Sequence, residues 1–214
     1  LAHNGVLFLD ELPEFRKNVL EVMRQPMEDS QVTIARAAIS MKFPATFLLV
    51  AAMNPCPCGY LGDPGHECIC NSMQAQRYNS RLSAPLLDRI DIHVEVPAVP
   101  YKEISDSRKP ESSVSIRERV SRVRKIQQQR FNGRKSVMVN SRMTPGDLEK
   151  HCALAPEADR LLEQAASRLS MSARSCHRAL KISRTIADLD GKEHIETSHV
   201  AEAIQYQRSA PRIF

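Results

Sequence analysis

Residues 5–12 read GVLFLDEL, an unbroken apolar run of β-forming character that passes straight into two adjacent carboxylates. A run of this kind fits a strand covered on both faces, as in a parallel sheet. Ligands of open α/β sheets sit beyond the carboxyl ends of such strands, so Asp10 and Glu11 stand where chemistry is expected. TFLLVAAMN, Thr46 to Asn54, reads as a second buried strand that again ends in a polar residue, and IDIHVEVP, stopping at Pro97, reads as a third. Between the first two, LPEFRKNVLEVMRQ predicts one helix ending near Gln25 and Pro26. Pro13 suits its first turn, and Phe15, Val19 and Met23 fall on one apolar stripe. VTIARAAISMKF, Val32 to Phe43, predicts a projecting hairpin.

The pattern changes after Pro97. Residues 98–113 turn to Pro, Ser, Lys and Glu and read as a linker between an α/β part, 1–97, and a helical part, 114–214. The helices are expected near Ser115–Phe131, Pro156–Leu169, Ala173–Leu189 and Ser198–Arg208. Leu161, Ala165 and Leu169 form a stripe on the second, and Cys176, Leu180, Ser183 and Ala187 on the third. A composition of 42% apolar and 26% charged residues excludes a disordered or fibrous chain. No stretch approaches the roughly 18 apolar residues of a membrane span, and there is no basic segment followed by an apolar one at the start, so a cytoplasmic protein is expected. Charge is uneven: residues 1–100 hold eight Lys and Arg against eleven Asp and Glu, and residues 101–214 hold 22 against 14.

A strand closing on Asp-Glu is what a nucleotide hydrolase needs. One carboxylate holds Mg²⁺ through its water shell, and the next orients and deprotonates the attacking water. An ordinary strand end also explains two acids. Asn54 adds weight, since an amide at a neighbouring strand end reaches the same water or the γ-phosphate; before Pro55 it is also a turn former.

CPCGYLGDPGHECIC sets Cys56, Cys58, Cys68 and Cys70 in two close pairs that a loop folds around a tetrahedral ion, with Gly59, Gly62 and Gly65 at the turns. Structural Zn²⁺ is the expected occupant. Reduced thiols or a disulfide are the alternatives, and His66 is either a substitute ligand or an exposed turn residue. Cys152 and Cys176, in helical context, read as small core residues.

Residues 114–142 hold nine basic side chains against one acid, Glu118. Arg117, Arg119, Arg122, Arg124, Lys125 and Arg130 are too closely spaced to share one helix face, so some project to solvent or to a polyanion. Nucleic acid is one reading. A solvated helix, or one paired with acids of a neighbouring subunit, is the other, because no aromatic residues interleave with the charges.

GVLFLDELPEF, VAAMNPCPCGY, RLSAPLLDRIDIHVEVP and SARSCHRALKISRTIADL, in this order, resemble the magnesium-chelatase-like AAA+ proteins of the ComM type. These are related to the chelatase ATPase subunits and, more distantly, to MCM helicases. The resemblance implies an α/β class: the C-terminal part of a P-loop AAA+ core, with a parallel sheet, flanking helices and a hairpin insert, followed by an all-helical lid. It implies ATP and Mg²⁺ as cofactors, with Asp10 and Glu11 as the Walker B pair, Asp10 toward Mg²⁺ and Glu11 as base, and with Asn54 as sensor 1. Arg89, in LLDRID, resembles the arginine finger that completes the adjacent subunit's site; an ion pair with Asp88 or Asp91 is its structural alternative. Arg174 resembles sensor 2, with Arg178 and Arg184 as rivals.

The resemblance further implies a ring homo-oligomer, expected to be a hexamer, that moves on DNA as a helicase or branch-migration factor. Arg36 in the hairpin would then face the pore, or else be an ordinary tip residue. Arg117, Arg122, Arg124 and Lys125 are the other candidates for DNA contact. The family's G-x-x-x-x-G-K-[ST] phosphate loop does not occur among these 214 residues. The chain is therefore expected to be the C-terminal portion of a larger protein, carrying part of an ATP site. A chelatase-type ATPase driving metal insertion, and a non-enzymatic remnant that binds DNA or partner subunits, are the alternatives.

Overall fold

A computed structural model describes residues 2–36, 39–99, 110–134 and 139–208. The chain divides into two compact units, one built on Leu1–Asp91 with Val96–Ala98, the other on Val99–Ser209 with Ile92–Glu95.

The first unit is organised around two parallel strands, β1 (Val6–Leu9) and β2 (Leu48–Ala51), in the register Val6↔Leu48 to Leu9↔Ala51. A parallel pair needs a long connection. It contains a 3₁₀ turn (Leu12–Glu14), helices α1 (Lys17–Val22) and α2 (Arg24–Asp29), and the antiparallel hairpin β3 (Gln31–Arg36) with β4 (Ile39–Pro44). The hairpin is where the sequence predicts it, but its tip, and the Arg36 side chain, lie outside the described residues. Beyond β2 come α3 (Ser72–Asn79) and α4 (Ala84–Leu87).

The single helix expected over 13–25 is instead a 3₁₀ turn and two short helices meeting at Met23, the second running through Pro26 to Asp29. The expected stripe fails with it. Phe15 and Val19 are exposed, while Leu12 and Leu20 are buried and pack with Leu82, Leu86 and Leu87 beneath the carboxyl ends of the strands. The expected third strand is absent as well: residues 91–99 have no regular structure, and Ile92, Val94 and Val96 are exposed. An apolar alternation makes a strand only where a neighbour supplies a ladder, and none flanks this stretch among the described residues.

The second unit is helical: α5 (Ser113–Arg130), α6 (Pro145–His151), α7 (Pro156–Arg168), α8 (Ala173–Leu189) and α9 (Thr197–Arg208). Of the expected linker, residues 100–109 lie outside the described residues, and α5 opens at Ser113, whose helix is capped by the Ser112 hydroxyl. The sequence reading passed over α3 and α6, each shorter than a typical helix but each closed by a capping box, Asn71 with Gln74 and Thr144 with Asp147. α8 is the centre, packing against α9, α5, α6 and a 3₁₀ turn at Asn140–Arg142. Ala158, Ala179, Ala187 and Val200 are fully buried, so small side chains let the helices close around Leu162, Ile195 and Ile204. Cys152 joins this core, as expected, whereas Cys176 is only half-buried.

Candidate functional site

The parallel register fixes what meets at the end of the sheet. Leu9 accepts a backbone hydrogen bond from Ala52 at 2.9 Å, and Leu12 donates to the Ala52 carbonyl at 3.0 Å. Residues 10–12 and 52–54 therefore run side by side, bringing Asp10, Glu11 and Asn54 to one edge. Glu11 sits in the left-handed region, φ 51° and ψ 47°, where a non-glycine residue is uncommon. The turn is held by the Asp10 carboxylate, which accepts the Glu11 N–H at 2.9 Å, and by Leu12 and Pro13, which bury themselves directly behind. Asp10, Glu11 and Asn54 themselves are exposed.

α3 braces this edge. Asn79 donates through its side chain to the Pro55 carbonyl at 3.3 Å. Tyr78 is buried, and burial, then the charges of Glu14 and Glu11, push its hydroxyl up, while the Asn54 backbone opposes that shift. Arg81 donates to the Pro13 carbonyl at 3.1 Å and pairs with Glu14 at 2.7 Å. Tyr78 and Asn79 belong to a helix the sequence reading missed, whose readable signal was the Asn71 cap.

Arg89 is not presented outward. Its guanidinium pairs with Glu28 of α2 at 2.6 Å and donates to the Pro85 carbonyl at 2.5 Å, and its side chain is 12% exposed. An ion pair with Asp88 or Asp91 was the structural alternative to the arginine-finger reading; the pair with Glu28, 61 positions away in sequence, was one that no local pattern pointed to. On α8, Arg174 is exposed at the N-terminus and Arg178 is buried. Arg184 is a structural residue: Nε–H donates to Asp188 at 3.0 Å, and the terminal nitrogens donate to the Lys192 and Glu193 carbonyls at 2.6 Å.

The four cysteines converge. Their sulfurs all lie within 4.8 Å of one another, with Cys56–Cys58 at 3.3 Å, Cys58–Cys68 at 3.5 Å and Cys56–Cys68 at 3.7 Å. Zinc–sulfur bonds of about 2.3 Å put tetrahedral sulfurs ~3.8 Å apart, so the set fits that ion. Gly59 and Gly62, at φ +85° and +87°, make the turns that return the loop on itself. The thiols divide in acidity. The Tyr60 backbone holds Cys58 down at about 6. Against the pull of the Cys70 backbone, burial and the neighbouring thiols push Cys68 up to about 12. His66 stands apart, stacked on Tyr60 with ring centroids 4.8 Å apart and paired with Asp63 at 3.5 Å.

On α5, Arg117, Arg122, Arg124 and Lys125 are exposed, and Arg119 is engaged by Glu111 at 2.8 and 3.1 Å. Arg130 turns inward onto Asp188. No helix of the described residues is long and apolar enough to cross a membrane.

The family described as magnesium chelatase, subunit ChlI, matches residues 1–104, and its C-terminal counterpart matches residues 110–207. Competence protein ComM of Haemophilus influenzae is 44% identical over 208 residues, 97% of this chain and 40% of that protein. YifB of Escherichia coli is 40% identical over the same share of each, and a Mycobacterium tuberculosis protein is 34% identical over 99% of this chain and 41% of its own length. The chain thus spans about 40% of the length of the curated relatives it matches. With both halves matched, and with paired strand ends carrying Asp10, Glu11 and Asn54, the chain belongs to the magnesium-chelatase-like family, among relatives of the ComM and YifB kind.

Proposed function

We propose that the chain is part of an ATP-hydrolysing AAA+ motor acting on DNA, its first unit carrying one wall of the ATP site and its helical unit serving as the lid. The observation that carries this reading is the convergence of Asp10, Glu11 and Asn54 on adjacent parallel strand ends, with Glu11 held in a left-handed turn. Two exposed carboxylates and an amide are hard oxygen donors of the kind Mg²⁺ takes. Asp10 would hold the ion, which when bound neutralises charge on the β- and γ-phosphates. Glu11 accepts a proton from the attacking water, and Asn54 orients that water by hydrogen bonding. Arg89 serves the adjacent subunit of a hexameric ring after exchanging Glu28 for phosphate. Arg174, exposed at the start of α8, is the sensor 2 residue.

Cys56, Cys58, Cys68 and Cys70 hold Zn²⁺, which supplies a closed structural crosslink to the loop that follows Asn54. Arg36, Arg117, Arg122, Arg124 and Lys125 are assigned to DNA. A second reading, a chelatase-type ATPase, is favoured by the magnesium chelatase description that both halves match. The test is ATP hydrolysis by the full-length protein with and without DNA. Activity that DNA raises and Glu11→Gln abolishes supports the motor. Hydrolysis indifferent to DNA moves the assignment to the chelatase type, and no hydrolysis leaves a binding module.

A further inference from the structure

The helical unit contains a cleft of about 550 Å³ that the ATP chemistry does not use. It is bordered by Arg130, Lys150, His151, Arg184, Lys192 and His194, with Asp188 and Glu193 as its acids. The floor is a charge imbalance. Asp188, 1% exposed at its side chain, accepts from Arg130 at 2.7 and 2.5 Å, from Arg184 at 3.0 Å and from Asn140 at 2.8 Å. One carboxylate thus faces two guanidiniums, and its lone pairs are filled. Arg184 completes its bonding with carbonyl oxygens, which stabilise a cation without cancelling its charge. At the rim Lys192 is paired with Glu196 at 3.1 Å, and Lys150 is exposed with no ion pair among the described residues. His151, lodged edge-on against Phe131, is pushed down by burial first and then by the charges of Arg130 and Lys150.

A cleft with surplus positive charge and a Lys150 ammonium without an ion pair among the described residues at its rim is built for an anion, and ammonium and guanidinium groups suit phosphate oxygens. The surroundings select among anions. On α5 the cleft is lined by Ile126 and Arg130, and the residue one turn earlier on the same face is the exposed Arg122. Cationic groups therefore continue from the cleft along the helix, the arrangement that follows a chain of phosphates. We propose that this cleft is a phosphate-binding subsite that seats one backbone phosphate of a polynucleotide whose neighbouring phosphate meets Arg122. The proposal rests on the reading of the protein as DNA-acting and selects Arg122 among the α5 candidates.

The test uses the full-length protein and follows acetylation of Lys150 and Lys192 by an amine-reactive reagent, read by mass spectrometry. The probes are a 20-nucleotide single-stranded oligodeoxynucleotide and millimolar inorganic phosphate. Oligonucleotide affinity is measured in parallel by fluorescence anisotropy across salt. The expected result is several-fold protection of both lysines by the oligonucleotide. Lys150→Gln/Lys192→Gln should lower affinity about 10-fold and reduce the salt slope by about 1–2. Arg160→Gln/Arg168→Gln, which removes equal charge outside the cleft, should leave both nearly unchanged. Equal protection by inorganic phosphate makes a free phosphate the source. DNA binding without lysine protection and without an effect of the cleft variant overturns the subsite and leaves the DNA reading standing. Protection by phosphate in a protein that binds no DNA keeps the subsite and removes that reading.

Discussion

The two units close their interiors in opposite ways. The helical unit encloses the middle of α8, with Ala179 and Ala187 fully buried there and Val200 of α9 buried in the same core. The α/β unit keeps one side of its parallel pair open: Val6, Phe8 and Leu48 are 59%, 58% and 62% exposed, all on one face by the strand register. Its hairpin is similar, since cross-strand pairing puts Ile34, Met41, Phe43 and Ile39 on one uncovered face. The helical unit holds itself together by small-residue packing and a buried ion network. The α/β unit is a surface looking for a cover, and its candidate chemistry lies at the edge of that surface.

The largest effect that would sharpen this contrast falls on Asp188. Asp188→Ala strands the buried Arg184, the partly buried Arg130 and Asn140, a loss of about 3–5 kcal/mol that urea unfolding should assign to the helical unit alone. In the α/β unit, Leu20→Ala empties a fully buried site and should cost about 2–5 kcal/mol. If the two variants unfold the whole chain in a single transition, the units are not independent and the comparison fails.

Acid should separate the units next. Asp147 is held at about 2 by the Thr144 backbone N–H and hydroxyl and then by Arg134. Its folded pKa is depressed, so its contribution is present above the usual carboxylate range of ~4 and is lost as pH falls from there through about 2. Melting of the helical unit followed by circular dichroism should decline over that window, and Asp147→Asn should flatten the decline. A smaller effect is expected from chelation of the cysteine loop, which should release one zinc per chain and increase proteolysis between residues 56 and 70, leaving the helical unit unchanged. The smallest is Phe8→Ser. Because that side chain is already exposed, stability should shift by no more than about 0.5 kcal/mol while light scattering shows less association.

Legibility followed the range of the interactions. Strands β1 and β2, the hairpin and most helices of the second unit are written in local periodicity, and the cysteine pairs in local spacing. The 13–25 helix was misread because Phe15, Val19 and Met23 repeat at helical spacing, yet the chain breaks at Met23 and buries Leu20 instead. The 90–97 strand was misread because alternation says nothing about whether a ladder partner exists. Of the site, the carboxylates, Asn54 and the four cysteines were visible. The Arg89–Glu28 pair, the Tyr78 brace and the Arg130–Asp188 pair join residues far apart in sequence, and only the fold reveals them.

Glu11 is proposed to do chemistry beyond shaping a turn. The most direct measurement is ATP binding and hydrolysis by the full-length protein carrying Glu11→Gln, compared with the parent. Nucleotide affinity within about threefold and a kcat lowered by at least 10²-fold are expected, as loss of a general base requires. Hydrolysis at the parental rate, with affinity intact, would contradict that role and leave Glu11 as the residue that ends a strand.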